Sequence, residues 1–208
     1  MLSRGNPYGV TKFFRESREP PAESDEMKTY IALFRGINVG GKNALPMKEL
    51  VAILENLGAR KVKTYIQSGN AVFVCKDKDA PRLSKTITAE IKKCRGFEPH
   101  VLLLGLEDFE RVIVQNPFPA EAETDPRALH AGFLSASPAR PDMKGLERLK
   151  IDSERFRLID SVFYLHAPEG VGRSKLAANA ERLLGVPMTD RNWRTVQTIW
   201  KMAQELAE

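Results

Sequence analysis

Between residues 28 and 74 the hydrophobic period of the sequence changes from strand-like to helical and back, and this order admits few folds. The first run is rich in β-prone residues, a glycine-rich loop follows it, and apolar residues then recur at intervals of three and four. The stretch predicts a strand at Lys28–Phe34, a helix over Met47–Leu57, and a hairpin of Val62–Gln67 and Ala71–Cys75 that turns at Ser68, Gly69 and Asn70.

The same order of elements continues beyond this stretch and then starts again. A helix that opens at Asp79 and ends at Gly96, followed by a strand at His100–Leu104, completes the β-α-β-β-α-β order of a ferredoxin-like unit. The second half predicts a strand, a helix, a hairpin and a helix at Ala128–Leu134, Met143–Leu149, Arg155–Ile159, Val162–His166 and Ser174–Leu184. An amphipathic pattern over Thr189–Leu206 predicts a final helix. The expected fold is α+β, with two ferredoxin-like (split βαβ) subdomains plus a C-terminal helix.

Composition changes suggest where the domains begin and end. Residues 1–26 lack hydrophobic periodicity and include Pro20, Pro21 and an acidic run, so we expect a disordered tail or a mis-assigned start ahead of Met27. The remaining boundaries follow the predicted elements: a first subdomain over 27–116, a linker over 117–127, and a second subdomain with the C-terminal helix over 128–208.

Bulk properties exclude several classes of protein. No apolar run approaches the roughly 20 residues that span a bilayer, and no secretory hydrophobic region opens the chain. We therefore expect a cytoplasmic protein without a membrane partner. Two cysteines and three scattered histidines do not make a metal-binding spacing, so no metal or cofactor is expected. The net charge is +5, and because the first 26 residues hold four basic and five acidic side chains, the remainder carries +6. This excess leans towards anionic partners, although a solvated basic surface is the explanation we favour.

The glycine-rich loop after the first strand resembles a phosphate-binding loop in spacing only. Gly36 to Lys42 satisfies G-x-x-x-x-G-K, but Asn43 stands where such loops have a hydroxyl for Mg²⁺, and Pro46 delays the helix. The surrounding order of elements also differs from the parallel sheet that such a loop requires. What remains is an anion-binding nest of backbone amides flanked by cations, for which the candidate residues are Arg35, Gly36, Asn38, Gly40, Gly41 and Lys42. The alternative is a loop that needs glycine only for its turns.

Two further stretches place cations next to a predicted helix start. Ser174 is a plausible N-cap, and a bound anion would offset the unfavourable position of cations at the positive end of the helix dipole. The candidate residues here are Gly172, Arg173, Ser174 and Lys175, and the corresponding ones before the last helix are Arg191 and Asn192. Trp193 has two interpretations, a platform for a base or a core residue, and the continuing apolar stripe favours the core.

The hairpin turn supplies the last candidates. Gln67, Ser68 and Asn70 offer hydrogen bonds to a ligand, although residues of these types also build tight turns. No serine, histidine and aspartate stand in an interpretable catalytic motif, and neither cysteine has a local activating signature, so no catalytic residue is assigned.

Several of these motifs together resemble a known family. The sequences YIALFRGINVGGKNALPM, TYIQSGNAVFV, GRSKL and TDRNWRT are similar to the mainly bacterial proteins catalogued as domain of unknown function 1697. The resemblance extends from about Met27 to Leu206 and implies an α+β fold of two ferredoxin-like subdomains. It implies no activity, cofactor or catalytic residue.

The leading hypothesis is a cytoplasmic binding module for a phosphate-bearing ligand, a nucleotide or a nucleic acid, held at the glycine-rich loops. One alternative is an enzyme that acts on a phosphorylated or carboxylated small molecule in the cleft between the subdomains. Another is a protein-interaction scaffold. The fold alone does not decide among them.

Overall fold

Two four-stranded antiparallel sheets organise the chain in the computed structural model, which describes residues 27–67 and 69–208. The predictions made for residues 1–26 and for Ser68 lie outside the described residues.

The first half contains one complete ferredoxin-like unit. Its elements are β1 (Lys28–Arg35), α1 (Met47–Asn56), β2 (Arg60–Tyr65), β3 (Asn70–Cys75), α2 (Ala80–Arg95) and β4 (His100–Gly105). The strand order is β2-β3-β1-β4, with every neighbouring pair antiparallel. This is the split βαβ topology that the sequence predicts.

Two helices connect the halves, α3 (Leu106–Val114) and α4 (Pro119–Thr124). Residues 117–127 were predicted as a linker, yet they contain α4. Pro119 suits a first helical position because its missing N–H has no partner to lose there. The buried side chains of Phe118 and Ala122 attach this segment to the core between the sheets.

The second half repeats the topology of the first. Its elements are β5 (Leu129–Leu134), α5 (Met143–Leu149), β6 (Arg155–Ile159), β7 (Val162–His166), α6 (Lys175–Leu184), β8 (Met188–Asn192) and the C-terminal helix α7 (Trp193–Ala207). The strand order β6-β7-β5-β8 is that of the first sheet.

The predicted start of the last helix at Thr189 is wrong. Residues 188–192 form β8 instead, and this strand pairs with β5 in register from Met188 opposite Leu134 to Asn192 opposite His130. The helix begins at Trp193, and its N-cap is Asn192, whose side-chain oxygen accepts a hydrogen bond from the Thr195 amide at 2.9 Å. Arg191 therefore lies in a strand rather than in the first turn of a helix.

The elements stack in five layers. Helices α1 and α2 cover the outer face of the first sheet, and α5 and α6 cover the outer face of the second. Helices α3 and α7 lie between the two sheets. Strand β1 shows the consequence, because Tyr30 and Phe34 face the outer core while Ile31 and Leu33 face the central layer. A strand that is buried on both faces reads as a continuous apolar run.

Candidate functional site

The glycine-rich loop, Gly36–Asn43, is a miniature hairpin. The Asn38 amide donates to the Asn43 carbonyl and the Lys42 amide to the Val39 carbonyl, both at 3.1 Å. Gly40 and Gly41 form the turn between them with φ of 59° and 73°. Two consecutive residues with positive φ are the requirement of a type I′ turn, which glycine meets without steric cost. Two of the loop amides are thus already bonded within the loop.

Asn38 fixes this loop against its neighbours. Its side-chain nitrogen donates to the carbonyls of Leu45 and Gln67, each at 2.8 Å, and its oxygen accepts from the Leu45 amide at 2.7 Å. Asn43 adds a bond to the Gly36 carbonyl at 2.8 Å. The hydrogen bonds of Asn38 consequently connect the loop to the β2–β3 turn.

The second glycine-rich segment is a short turn that leads into α6. Gly170 has a φ of 94°, and residues 171–173 form one turn of 3₁₀ helix. Ser174 is the N-cap of α6 as predicted, since its hydroxyl accepts from the Ala177 amide at 2.9 Å. Arg173 and Lys175 are exposed, and neither forms an ion pair within the part of the chain that the structure describes.

The two segments flank one groove. Three adjoining depressions of about 400, 330 and 480 Å³ meet at Ala178 on α6. We call them together the inter-half groove. The lining residues of the first half are Phe34, Arg35, Gly36, Ile37 and Val39. Those of the second half are Phe163, Leu165, Val171, Gly172, Ala177, Ala178, Glu181, Arg182, Gly185, Val186, Pro187, Met188, Asp190 and Arg191.

An ion pair crosses the groove. Arg35 Nη1 lies 2.6 Å from Glu181 Oε2, and the same carboxylate oxygen accepts from the Met188 amide at 3.3 Å. Both side chains are roughly half exposed, so this pair contributes little to stability. Its role is to orient the Arg35 guanidinium, which has further donors for another acceptor.

His100 stands opposite Arg35 in the β1–β4 register. Burial of the imidazole lowers its pKa, the nearby Arg35 guanidinium lowers it further, and the Glu181 carboxylate opposes the effect. Its Nδ1 atom is buried and has no hydrogen-bond partner among the described residues. The ring is therefore held in its neutral form more strongly than in the unfolded chain.

We expect the free energy of unfolding to fall as the pH is lowered below about 6.5, the pKa of an unperturbed histidine. Because the folded-state pKa of His100 is depressed, the unfolded chain takes up the proton first and acid favours unfolding. Urea titrations between about pH 7.5 and pH 5.5 measure this slope. The His100→Gln variant should show a shallower slope, and equal slopes in the two proteins would contradict the assignment.

Arg191 connects the two halves at the base of the groove. Its Nε donates to Asn70 Oδ1 at 2.5 Å, and its Nη2 donates to the carbonyls of Phe34 and Gly69 at 2.7 and 3.1 Å. Its Nη1 donates to the Asp190 carbonyl at 2.7 Å. Burial lowers the pKa of the guanidinium to about 10, so the side chain remains a cation at neutral pH. Arg191 thus satisfies backbone and side-chain acceptors of both sheets.

Asp190 and His130 form a second polar pair beside the groove. His130 Nδ1 lies 2.7 Å from Asp190 Oδ2. The imidazole is 9% exposed, whereas the Asp190 side chain is 41% exposed and lines two of the three depressions. A buried ring behind a carboxylate fixes the direction in which that carboxylate presents its other oxygen.

The sequence-predicted residues fall into groups of different structural role. Arg35, Gly36, Gly172 and Arg191 line the groove. Gly40, Gly41 and Lys42 form the tip of the glycine-rich loop, and Arg173 and Lys175 flank Ser174 on the other side. Asn38, Gln67, Asn70, Ser174 and Asn192 make hydrogen bonds that hold loops and helix ends in place.

Sequence reasoning missed the groove residues Glu181, Met188 and Asp190, together with His130. All four lie in the second half, and two of them belong to β8. The available signal was the repeated order of elements. A second unit that begins β-α-β-β-α calls for a closing strand, and the alternation of Met188, Asp190 and Asn192 would then have placed Asp190 on the same face as Met188.

Residues 27–67 and 69–208 contain no group of three or more His, Cys, Asp and Glu side chains that could hold a metal ion. The same residues contain no helix that is long and apolar enough to cross a membrane.

Comparisons with known proteins agree with the fold. No curated protein matches the sequence. A solved structure, described as that of the conserved bacterial protein SP0830 from Streptococcus pneumoniae, matches with a TM-score of 0.67 and 31% sequence identity. The match covers 86% of this chain and 99% of that one. A family profile described as "Protein of unknown function (DUF1697)" matches residues 27–164. The chain therefore belongs to the DUF1697 family, as its motifs predicted.

Proposed function

We propose that this protein is a cytoplasmic binding module for a phosphate-bearing ligand, which it holds in the inter-half groove. One observation carries the proposal. The two cation-flanked glycine segments, predicted separately from the sequence, line two adjoining depressions of one groove: Gly36, Ile37 and Val39 border the first, and Val171 and Gly172 border the second. Clefts between packed units are common ligand sites, and the depression beside the glycine-rich loop, about 400 Å³, is within the usual size range of small-molecule pockets.

The charges around the groove support an anionic ligand. Three arginines and two carboxylates line it: Arg35, Arg182 and Arg191 against Glu181 and Asp190. Lys42, Arg173 and Lys175 stand on the flanking segments, and none of these three forms an ion pair with another described residue. Arginine and lysine next to backbone amides are the groups that bind phosphate in other proteins.

Within this proposal a nucleotide is favoured over a nucleic acid. Ferredoxin-like proteins that bind RNA commonly use an open sheet face. Here helices cover both faces of each sheet, since α1, α2, α5 and α6 lie outside and α3 and α7 lie between. Trp193 is 2% exposed in the central layer and offers no stacking surface. The groove offers a place for a ligand, and it suits a small one.

An enzyme that acts on such a ligand is the second candidate. The observation that favours it is the Asp190–His130 pair at 2.7 Å, because a carboxylate hydrogen-bonded to an imidazole is a common arrangement in acid–base catalysis. Product analysis after incubation with a bound nucleotide separates catalysis from binding.

Reversing two flanking charges should weaken phosphate binding. We expect the double variant Lys42→Glu, Arg173→Glu to bind ATP and tripolyphosphate at least about tenfold more weakly at low salt, because each replacement turns an attraction into a repulsion. Isothermal titration calorimetry measures the affinity, and thermal melting checks the fold.

The matched control is Lys85→Glu, Lys201→Glu, which makes the same change in net charge at exposed positions on α2 and α7. We expect it to retain most of the affinity, since screening limits long-range effects. Equal affinity in the Lys42, Arg173 variant and the unmodified protein would contradict the proposed site. Absence of any binding of ATP and tripolyphosphate at low salt would contradict the proposed function itself.

A further inference from the structure

The depression beneath the 3₁₀ turn differs from the rest of the inter-half groove. It has a volume of about 330 Å³ and is lined by Phe163, Leu165, Val171, Gly172, Ala177, Ala178, Met188 and Asp190. We call it the apolar pocket. Among the described residues that line it, Asp190 alone is charged, and no other side chain offers a strong hydrogen-bonding group. The neighbouring depression, which it joins at Ala177, Ala178, Met188 and Asp190, contains Arg35 and Arg191.

The Asp190 carboxylate is held in one orientation. Its Oδ2 atom lies 2.7 Å from Nδ1 of the buried His130 ring. The Asp190 side chain is 41% exposed and borders both depressions. A carboxylate with one oxygen engaged by a fixed imidazole presents the other as a pre-oriented acceptor. Such an acceptor favours a ligand group that donates a hydrogen bond, and it repels a carbonyl oxygen.

We propose that the apolar pocket binds the base of a nucleotide that carries an exocyclic amino group, and that this group donates to Asp190. The inference rests on the proposed function, since it places the phosphates of the same ligand towards Arg35 and the glycine-rich loop. His130 is a positioning residue that holds the carboxylate.

The chemistry of the pocket fits this occupant in three respects. Aliphatic and aromatic walls suit the flat, apolar faces of a planar ring. A single oriented acceptor at the wall suits an amino group on the ring edge. The cations lie in the adjoining depression, so one ligand with an apolar ring at one end and phosphates at the other would span both. Inorganic phosphate or a sugar phosphate would leave the apolar pocket empty.

The experiment compares ligands with and without the amino group. ATP and purine riboside triphosphate differ only by this group. CTP and UTP form a second pair, in which uracil has a carbonyl in place of the amino group and an N–H donor in place of the neighbouring ring acceptor. We expect the amino-bearing member of at least one pair to bind about tenfold or more tightly, since a hydrogen bond to a charged group has this effect when it is lost. Tripolyphosphate serves as the ligand without a base.

The Asp190→Asn variant then tests the residue. The preference for the amino-bearing member should shrink to about threefold or less, because an amide presents both a donor and an acceptor. Tripolyphosphate should bind the variant no more weakly than it binds the unmodified protein. Asp152→Asn is the matched control at an exposed position, and it should keep the full preference.

The possible outcomes separate the inference from the function on which it rests. Triphosphates that bind with equal affinity within both pairs would overturn the base pocket and leave phosphate binding standing. A preference that persists in Asp190→Asn would overturn the role of Asp190. No binding of any nucleotide or of tripolyphosphate would overturn both. The ligand comparison needs no variant, so a folding defect in Asp190→Asn would not obscure the main result.

Discussion

Replacing Arg191 with methionine should lower the free energy of unfolding by about 3–5 kcal/mol, because several acceptors lose a charged donor and each loss costs roughly 1–3 kcal/mol where the acceptor is buried. The guanidinium donates to Asn70 Oδ1 and to the carbonyls of Phe34, Gly69 and Asp190. Methionine has a similar length and fills much of the same space, but it donates nothing. Acceptors at the junction of the two sheets would lose this donor, and Arg191 is only partly exposed there. Urea denaturation measures the difference.

Arg194→Met is the matched control. Arg194 lies three residues further along, in the first turn of α7, and is exposed. The same substitution there should change the free energy of unfolding by no more than about 0.5 kcal/mol. Arg191→Lys should be intermediate, because lysine keeps the charge but lacks the planar fork that reaches several acceptors at once. Similar stability of the Arg191→Met and Arg194→Met variants would contradict the assigned role.

Arg191 also shows why the sequence misleads at the last helix. Thr189 and Asp190 precede an apolar stripe of helical period, and threonine and aspartate are typical N-caps. The cap that is used is Asn192, three residues later than Thr189. Local capping preference cannot tell these residues apart. The deciding interaction is the pairing of β8 with β5, which joins distant parts of the chain.

Helices and strands whose sequence signals lie within the element or directly beside it could be predicted. The hairpin of β6 and β7 has the predicted boundaries, Arg155–Ile159 and Val162–His166, because Asp160 and Ser161 mark its turn and β-prone residues mark its strands. Helix α5 likewise occupies the predicted Met143–Leu149. In each case the signal and the structure lie within the same short segment.

The groove could be predicted only in part, because it is built from segments that are far apart in sequence. Arg35 and the turn before α6 carry local signals, glycine next to cations, and both were found. Glu181 and Asp190 carry no local signal of a site, since an exposed carboxylate on a helix or strand is ordinary. Their position follows from the packing of one half against the other, through the Arg35–Glu181 pair and the Arg191 bonds.

Gly69→Ala should lower the free energy of unfolding by about 3 kcal/mol or more. Gly69 has a φ of 83°, which costs an L-residue roughly 1–2 kcal/mol. A Cβ placed there would also lie 2.7 Å from Ile37 Cδ1 and from Phe34 Cβ, both in buried side chains. Overpacking of this kind typically costs a further 1–3 kcal/mol. The Gly69 carbonyl accepts from the Phe34 amide at 2.8 Å and from Arg191, so a shift of the backbone would disturb the junction between the sheets as well.

Gly40→Ala separates the cost of the positive φ from the cost of the steric overlap. Gly40 also has positive φ, 59°, but a Cβ there would meet nothing within 4 Å. We expect the free energy of unfolding of this variant to fall only by the cost of a positive φ for an L-residue, about 1–2 kcal/mol. The difference between the two variants in urea denaturation then measures the close approach of Gly69 to Phe34 and Ile37. Phe34 and Ile37 place Arg35 and the glycine-rich loop at the edge of the groove, so Gly69→Ala should also weaken ATP binding. An equal loss of ATP affinity in Gly69→Ala and Gly40→Ala would show that the contact of Gly69 with Phe34 and Ile37 does not position the loop.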